Sequence, residues 1–191
     1  MNIGLDFHGV IADGAALKSA VLRVFHNVTV SPRLCRSEYL VGGGYVTREV
    51  YEDVLRRVYE DPDGHSLVTP MPRAIDAIRL LMARKHSLCV ITASDEPAGR
   101  NVVPWLNQHG LDLPVTCVGR NGDKSEACKG LDIFVDDDLS QLLRIKHRGL
   151  KKILFGTQSH QRPKLWTPNG IRRALNWEQL LVDHLRLARV A

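Results

Sequence analysis

The stretch Gly4-Leu5-Asp6-Phe7-His8-Gly9-Val10 joins a short apolar run to a pair of turn-forming residues. Residues 3–7 predict a strand, and His8-Gly9 predicts the turn that ends it. Asp6 therefore lies at the end of the first strand, where its carboxylate can bind Mg²⁺ and attack phosphorus. An aspartate in this place is more commonly a turn or cap residue, so its partners decide the interpretation.

Four further apolar runs predict strands, and amphipathic segments lie between them. The strands are expected over residues 87–92, 115–118, 132–135 and 151–155. The helices are expected over residues 72–85, 97–109 and 139–147, with a last helix that carries Trp177, Leu180, Leu181 and Leu185 on one face. This alternation predicts an α/β fold, a Rossmann-like parallel sheet with right-handed crossovers and helices on both faces.

A long segment after the first strand interrupts the alternation. Residues 15–27 and 46–59 both have helical periodicity, and no strand pattern separates them. Gly42-Gly43-Gly44 provides a flexible connection between the two predicted helices. We therefore predict a small helical cap that covers the carboxyl edge of the sheet. The predicted domains are an α/β core of residues 1–13 and 70–191 and a cap of residues 14–69.

The composition is that of a folded globular protein, with 191 residues and 25% charged side chains. The sequence lacks the basic flank and apolar run of a signal peptide, and no apolar run is long enough to span a bilayer. These features predict a cytoplasmic protein without a membrane partner. The four cysteines have no CxxC spacing, so neither a zinc site nor a disulfide framework is expected.

The formal net charge of +5 suits a protein whose partner carries phosphate. Basic residues are spread along the chain rather than concentrated with aromatic residues in one stripe. A small phosphorylated substrate is therefore the favoured partner, and nucleic acid is a less favoured one. The sequence gives no prediction of the oligomeric state.

Hydroxyl-bearing residues follow the second predicted strand. Thr92 closes this strand, and Ala93 and Ser94 come next. Hydroxyl and backbone N–H groups here can hold a phosphoryl oxygen, helped by the N-terminal dipole of the helix that begins near Pro97. A simple helix N-cap by Ser94 or Asp95 explains the same residues equally well.

A lysine, Lys124, lies in the loop between the third and the fourth predicted strand. An ammonium group at the sheet edge can neutralise both a carboxylate and a phosphate, which is the charge compensation that phosphoryl transfer requires. Lys129 in the same loop is a competing candidate, and a loop lysine is usually only a solvated charge.

Three consecutive acids, Asp136-Asp137-Asp138, follow the apolar strand that ends at Val135. Such a run is repulsive unless a cation or a proton relieves the repulsion. Carboxylate oxygens are hard ligands that select Mg²⁺ over zinc or copper, so we predict a Mg²⁺ site that includes Asp137. Asp138 lies where it would cap the following helix instead.

The sequence resembles a haloacid dehalogenase (HAD) superfamily phosphatase over about residues 1–156. The resemblance lies in the order of the Asp6 strand, the threonine strand, the lysine and the Asp-Asp strand. The helical insertion has the position of the superfamily's first-type cap. The segment from Gly122 to Asp137 is similar to the 5′(3′)-deoxyribonucleotidase group, which removes phosphate from nucleoside monophosphates. The resemblance implies a Mg²⁺-dependent phosphomonoester hydrolase that acts on a small phosphorylated metabolite through an aspartyl-phosphate.

The resemblance also implies roles for the matching residues. Asp6 is the nucleophile and a Mg²⁺ ligand, Asp137 binds Mg²⁺ directly, and Asp136 holds a water bound to the ion. The implied catalytic residues are Asp6, His8 and Lys124. The implied phosphate-binding residues are Thr92, Ala93, Ser94 and Lys124, and the implied metal-binding residues are Asp6, His8, Asp136 and Asp137.

The departure from the family pattern is His8, which stands where these phosphatases usually have an aspartate. The family uses the backbone carbonyl at this position for the metal, and any residue supplies one. An imidazole with an unperturbed pKa of ~6.5 suits acid-base work near neutrality, so His8 is a predicted proton donor to the leaving group. A fixed cation beside Mg²⁺ would weaken metal binding.

Two other hypotheses stand beside the phosphatase. The first is a catalytically weak or inactive protein of this fold that binds a phosphorylated ligand or nucleic acid, and His8 and the basic charge motivate it. The second is dehalogenase or phosphonate chemistry, which is less favoured because those relatives carry other residues at the position of His8.

Overall fold

The structure is a computed structural model that describes residues 1–94, 96–119, 122–156, 168 and 170–185. Its main element is a six-stranded parallel sheet. Its strands are β1 (Asn2–Leu5), β2 (Ser87–Thr92), β3 (Val115–Cys117), β4 (Ile133–Asp136), β5 (Lys151–Phe155) and β6 (Ile171–Ala174). They lie in the order β3-β2-β1-β4-β5-β6, and each neighbouring pair is parallel. The predicted Rossmann-like α/β fold is confirmed.

Helices connect most of the strands and form the insertion after β1. In chain order they are α1 (Gly14–His26), α2 (Ser37–Leu40), α3 (Arg48–Tyr59), α4 (Pro62–His65), α5 (Ala74–Ala83), α6 (Glu96–Gln108), α7 (Leu139–Arg144) and α8 (Trp177–Gln179). Short 3₁₀ turns occur at Pro32–Leu34 and Glu126–Cys128, and α8 continues into a π-helical turn at Leu180–His184. Within the described residues, we find no helix with the length and apolar character needed to cross a membrane.

The chain divides into two compact units. One contains Met1–Ala12 and Pro70–Ala191 and includes the sheet, and the other is Asp13–Thr69 and contains α1 to α4. The sequence prediction of a cap over residues 14–69 concerns this second unit. Its role as a cap stays a prediction.

The second unit is held together by the packing of α1 against α3. The Asp13 carboxylate caps α1 by accepting two first-turn N–H groups at 3.1 and 2.9 Å. α1 ends where Asn27 adopts a left-handed conformation with a φ of 53°. The guanidinium of Arg57 on α3 lies 4.0 Å from the ring centroid of Phe25 on α1, so a cation–π contact joins the two helices.

The position of β1 determines where a ligand can bind. β2 and β3 lie on one side of β1, and β4, β5 and β6 lie on the other. Ligands of open α/β sheets bind outside the carboxyl ends of the strands at such a switch point. The Asp6 N–H donates to the Val135 carbonyl at 2.9 Å, which holds the ends of β1 and β4 side by side. On the other side of β1, the neighbouring strand β2 ends at Thr92.

The sheet is closely packed around β1. Ile3 and Leu5 are fully buried, and a Cβ at Gly4 would overlap the side chains of Leu131 and Phe134. Glycine in a strand interior usually weakens the strand, and a close approach of this kind is the usual reason for its presence.

Two features of the core differ from the sequence prediction. The sequence does not predict β6, because its two arginines interrupt the apolar run. The sheet tolerates these arginines because β6 lies at an edge and, among the described strands, pairs with β5 alone. α7 ends at Arg144 rather than at residue 147. The Lys152 ammonium explains this end, since it donates to the carbonyls of Leu142 and Ile145 at 2.8 and 3.0 Å and so occupies acceptors that a further turn would use.

A hydrogen bond from Trp177 connects α8 to the loop that follows β1. The indole Nε1 donates to the Val10 carbonyl at 2.8 Å, and the ring lies 5.7 Å from the Phe155 ring, centroid to centroid. Trp177 is 1% exposed, and a buried indole N–H generally needs such a partner. The sequence predicts only the apolar contact of this residue.

Trp177→Phe is expected to lower the free energy of unfolding by about 1–3 kcal/mol, because it removes a buried hydrogen bond and leaves space beside Phe155. Urea unfolding followed by circular dichroism measures the change. The control is Leu175→Ala, at a side chain that is 43% exposed. It should change the free energy by less than about 0.5 kcal/mol. An equal loss in both variants would contradict the assigned contact.

Candidate active site

An ion cluster lies at the carboxyl ends of β1 and β4. The Lys124 ammonium donates to Asp6 Oδ1 at 2.7 Å and to Asp136 Oδ2 at 2.8 Å. The three side chains are buried, which is unfavourable for charges unless they are paired and hydrogen-bonded. Lys129, the competing lysine, pairs instead with Glu126 at the surface. The structure therefore brings Lys124 to the Asp6 carboxylate and leaves Lys129 outside the cluster.

Asp137 completes a group of three carboxylates. One oxygen from each of Asp6, Asp136 and Asp137 lies within 4.8 Å of the other two. Asp137 also approaches the loop after β1, because a Cβ at Gly9 would collide with the Asp137 carboxylate. Gly9 has a φ of 92°, which disfavours side chains independently of space. Glycine is therefore needed at this position both for its backbone conformation and for the room that Asp137 occupies.

Burial and neighbouring charges shift the pKa values within the cluster. Burial raises the pKa of Asp6 and of Asp136 above the ordinary aspartate value, although Lys124 counteracts this in both cases. Burial would lower the pKa of Lys124, but the two carboxylates outweigh it and raise this pKa above the ordinary lysine value. The Asp137 carboxylate lies beside these two, and a group of three carboxylates is the kind of site that a divalent cation occupies. Carboxylate oxygens are ligands that suit Mg²⁺.

Two buried hydroxyl groups lie at the end of β2. Thr92 and Ser94 are 1% and 4% exposed, and their Oγ atoms are 3.1 Å apart. The Ser94 N–H donates to Thr92 Oγ1 at 3.3 Å. The carbonyls of Thr92 and Ser94 accept the N–H groups of Val118 and Gly119, which follow β3. These bonds fix the turn after β2. Of the neighbouring residues, Ala93 is half-buried and Asp95 lies outside the described residues.

His8 lies in the loop after β1, two residues beyond Asp6. Its ring meets Phe7 edge-on with the centroids 4.9 Å apart, and Phe7 in turn meets Trp105 at 5.2 Å. Among the described residues, the side-chain group that can hold a metal consists of the three carboxylates and does not include the His8 ring. The metal contact predicted for the His8 backbone carbonyl stays a prediction.

The loop that carries Lys124 is fixed on both sides of that residue. Asp123 Oδ1 accepts from the Ser125 N–H and from the Ser125 hydroxyl at 2.8 and 2.6 Å. His147 Nε2 lies 2.6 Å from the Ser125 carbonyl, and Gln141 Nε2 lies 3.4 Å from the Gly122 carbonyl. Sequence reasoning missed Gln141 and His147, because their partners lie 19 and 22 positions away and no local pattern marks such contacts.

No family model matches the sequence, and no curated protein matches it. Solved structures do match over the whole length of the chain. A HAD family hydrolase from Deinococcus radiodurans R1, with bound phosphate and sodium, has a TM-score of 0.61 at 15% identity and covers 99% of this chain and 98% of its own.

Two further solved structures are similar to this chain over nearly its whole length. A HAD-superfamily hydrolase of subfamily IA from Geobacter sulfurreducens PCA has a TM-score of 0.61 at 17% identity, covering 96% of this chain and 95% of its own. A dehalogenase has a TM-score of 0.61 at 15% identity, covering 94% and 95%. The chain therefore has the α/β fold of HAD-like hydrolases.

Mg²⁺ is expected to bind the three-carboxylate group, and Asp137→Asn should weaken the affinity by at least about tenfold, the loss found even for residues that only orient metal ligands. Isothermal titration calorimetry with MgCl₂ measures the affinity. Asp138→Asn is the matched control. Asp138 Oδ1 accepts the Ser140 N–H at 2.7 Å as the N-cap of α7, and asparagine caps equally well. Equal weakening in both variants would contradict the assignment of Asp137.

Proposed function

We propose that this protein is a Mg²⁺-dependent phosphomonoester hydrolase that forms an aspartyl-phosphate on Asp6. The observation that carries the proposal is the buried contact of the Lys124 ammonium with Asp6 and Asp136, beside Asp137. Phosphoryl transfer needs a positioned nucleophile and concentrated positive charge around the phosphoryl oxygens. The HAD-like fold supports the proposal, and one solved structure of this fold binds phosphate.

Asp6 supplies the nucleophile in two displacement steps. One carboxylate oxygen attacks phosphorus, the bond from phosphorus to the leaving oxygen breaks, and the alcohol departs. Water then attacks the same phosphorus, the bond to the Asp6 oxygen breaks, and orthophosphate leaves with the carboxylate restored. Burial favours the protonated, unreactive form of Asp6, and the Lys124 ammonium opposes this by donating to Oδ1.

Lys124 and the end of β2 hold the phosphoryl group. Lys124 faces the nucleophile, so its charge stabilises negative charge that accumulates on the phosphoryl oxygens. Thr92 and Ser94 contribute hydroxyl donors, and Ala93 contributes its N–H. Pairing of β1 with β2 supports this assignment, because it puts Thr92 at the same sheet edge as Asp6.

The three carboxylates fit a divalent cation by charge and by ligand type. Asp6 and Asp137 would hold Mg²⁺ together with the His8 carbonyl. Asp136 is less available, because its Oδ2 accepts from Lys124 and its Oδ1 accepts the Asp138 N–H at 2.8 Å. Bound Mg²⁺ would neutralise and orient the phosphoryl oxygens.

His8 moves the proton that the two displacement steps require. The leaving oxygen takes a proton from an imidazolium N–H, and the neutral ring then accepts a proton from the attacking water. The position of His8, two residues after the nucleophile in the loop that follows β1, supports this role.

The substrate in this proposal is a small phosphorylated metabolite and, more specifically, a nucleoside monophosphate. The similarity of the segment from Gly122 to Asp137 to the deoxyribonucleotidase group and the net charge of +5 both favour an anionic substrate of this kind. Residues 14–69 would act as the cap that selects the leaving group.

One observation favours a second candidate, a protein of the same fold that binds a phosphorylated ligand without efficient turnover. A histidine stands at position 8, and its ring lies against Phe7 rather than among the carboxylates. Dehalogenase chemistry also uses this fold, as one solved structure illustrates. The group of three carboxylates argues against it, because its oxygen ligands suit a divalent cation more than a halogenated organic acid.

Asp6→Asn should lower kcat/KM for an aryl phosphate by at least about 10³-fold, because the amide cannot act as the nucleophile. Hydrolysis with and without Mg²⁺ measures this loss, and mass spectrometry of acid-quenched enzyme should find phosphate on Asp6 in the wild type alone. Asp132→Asn, at the opposite end of β4, is the matched control and should retain activity. Full activity in Asp6→Asn would exclude the proposal.

His8→Ala should lower kcat by about 10²- to 10⁴-fold, because the leaving oxygen loses its proton donor. His8→Asp should retain turnover with an optimum at lower pH, since the ordinary pKa of aspartate lies below that of histidine. A pH profile of kcat for the wild type and both variants measures these effects. An inactive wild type that His8→Asp activates would favour the ligand-binding candidate instead.

A further inference from the structure

His147 contacts the backbone of the loop that delivers Lys124 to the ion cluster. Its Nε2 lies 2.6 Å from the Ser125 carbonyl, which also accepts the Cys128 N–H at 3.1 Å. A carbonyl oxygen is only an acceptor, so His147 Nε2 carries the hydrogen and donates it. The bond therefore joins the segment after α7 to the residue that immediately follows Lys124.

Within the part of the chain that the structure describes, one other side chain of the segment after β4 reaches the backbone of this loop. The hydrogen bonds that the described residues give to the Asp123 side chain come from Ser125, and they shape the turn within the loop itself. Gln141 on α7 reaches the Gly122 carbonyl at 3.4 Å, a long hydrogen bond. Among the described hydrogen bonds, the contact from His147 is thus the shorter of the two that join residues 139–147 to this loop.

The hydrogen bond from His147 matters because the Lys124 ammonium lies at the end of a long flexible side chain. Its ammonium must lie 2.7 and 2.8 Å from two buried carboxylates, and such contacts are lost when the backbone moves by about 1 Å. Asp136 is the last residue of β4, and Asp137 and α7 follow it directly. His147 therefore ties the lysine loop to the same chain segment that supplies the carboxylates.

We propose that His147 is a positioning residue that holds Lys124 between Asp6 and Asp136. The inference rests on the proposed phosphatase function for its effect on catalysis, but its effect on the position of the Lys124 ammonium can be tested separately. His147 touches no reacting atom in this arrangement. It acts through the Ser125 carbonyl.

Three variants test the proposal. His147→Leu removes the donor, His147→Gln keeps an N–H donor of similar reach, and His184→Leu is a matched control. His184 Nε2 also bonds a backbone carbonyl, that of Arg173 at 2.7 Å, and is likewise partly buried, but it lies on the segment beside β6. The two leucine variants therefore lose the same kind of bond in different places.

His147→Leu is expected to lower kcat for an aryl phosphate by about 10- to 100-fold with little change in KM, because Lys124 acts mainly on charge in the transition state. His147→Gln should recover kcat to within about threefold, and His184→Leu should stay within about twofold of the wild type. A loss of kcat in His184→Leu as large as that in His147→Leu would overturn the proposal, because it would show only general destabilisation.

A spectroscopic measurement decides the inference independently of turnover. A buried ammonium that donates to two carboxylates exchanges its hydrogens slowly, so ¹⁵N-lysine NMR should show a Lys124 signal that disappears in Lys124→Gln. The signal should be lost or shifted in His147→Leu and kept in His147→Gln and His184→Leu. An unchanged signal in His147→Leu would overturn the proposal, whereas absence of hydrolysis in the wild type would contradict only the phosphatase function.

Discussion

The contact of one buried ammonium with two buried carboxylates is the constraint on which the rest of the structure depends. Lys124 is 2% exposed, so it stays charged only beside Asp6 and Asp136, and these carboxylates would repel each other without it. The contact requires β1 and β4 to be neighbours and a loop that returns to the sheet edge between β3 and β4. Loss of any of these elements leaves a buried charge unpaired, so the site and the core fold must form together.

Local periodicity was sufficient to predict most of the sheet, because the inner strands of a parallel sheet are buried on both faces and appear as apolar runs. The same reasoning could not find β6, whose arginines are tolerated at an edge with one partner strand. It also placed the end of α7 too late. That end depends on the Lys152 ammonium, which comes from the following strand and is not visible in the helix sequence.

The candidate site was predictable where its chemistry is local. Repulsion among consecutive acids marks Asp136 and Asp137 in the sequence, and the end of an apolar run marks Asp6. The choice between Lys124 and Lys129 needed the fold, because both lie in the same loop and only one reaches the carboxylates. His147 needed it even more, since a histidine after a helix gives no signal of a bond to a loop 22 positions earlier.

The bond from Trp177 to the Val10 carbonyl spans 167 positions of the sequence. β1 precedes α8 in the chain, so the loop that follows β1 gains this hydrogen bond only after α8 has been synthesised. The ion pair of Asp6 with Lys124 spans 118 positions and is delayed in the same way. Contacts of such separation slow folding and leave a nascent chain with an unpaired central strand. The surroundings of β1 are therefore completed only when segments more than a hundred positions later in the chain have been made.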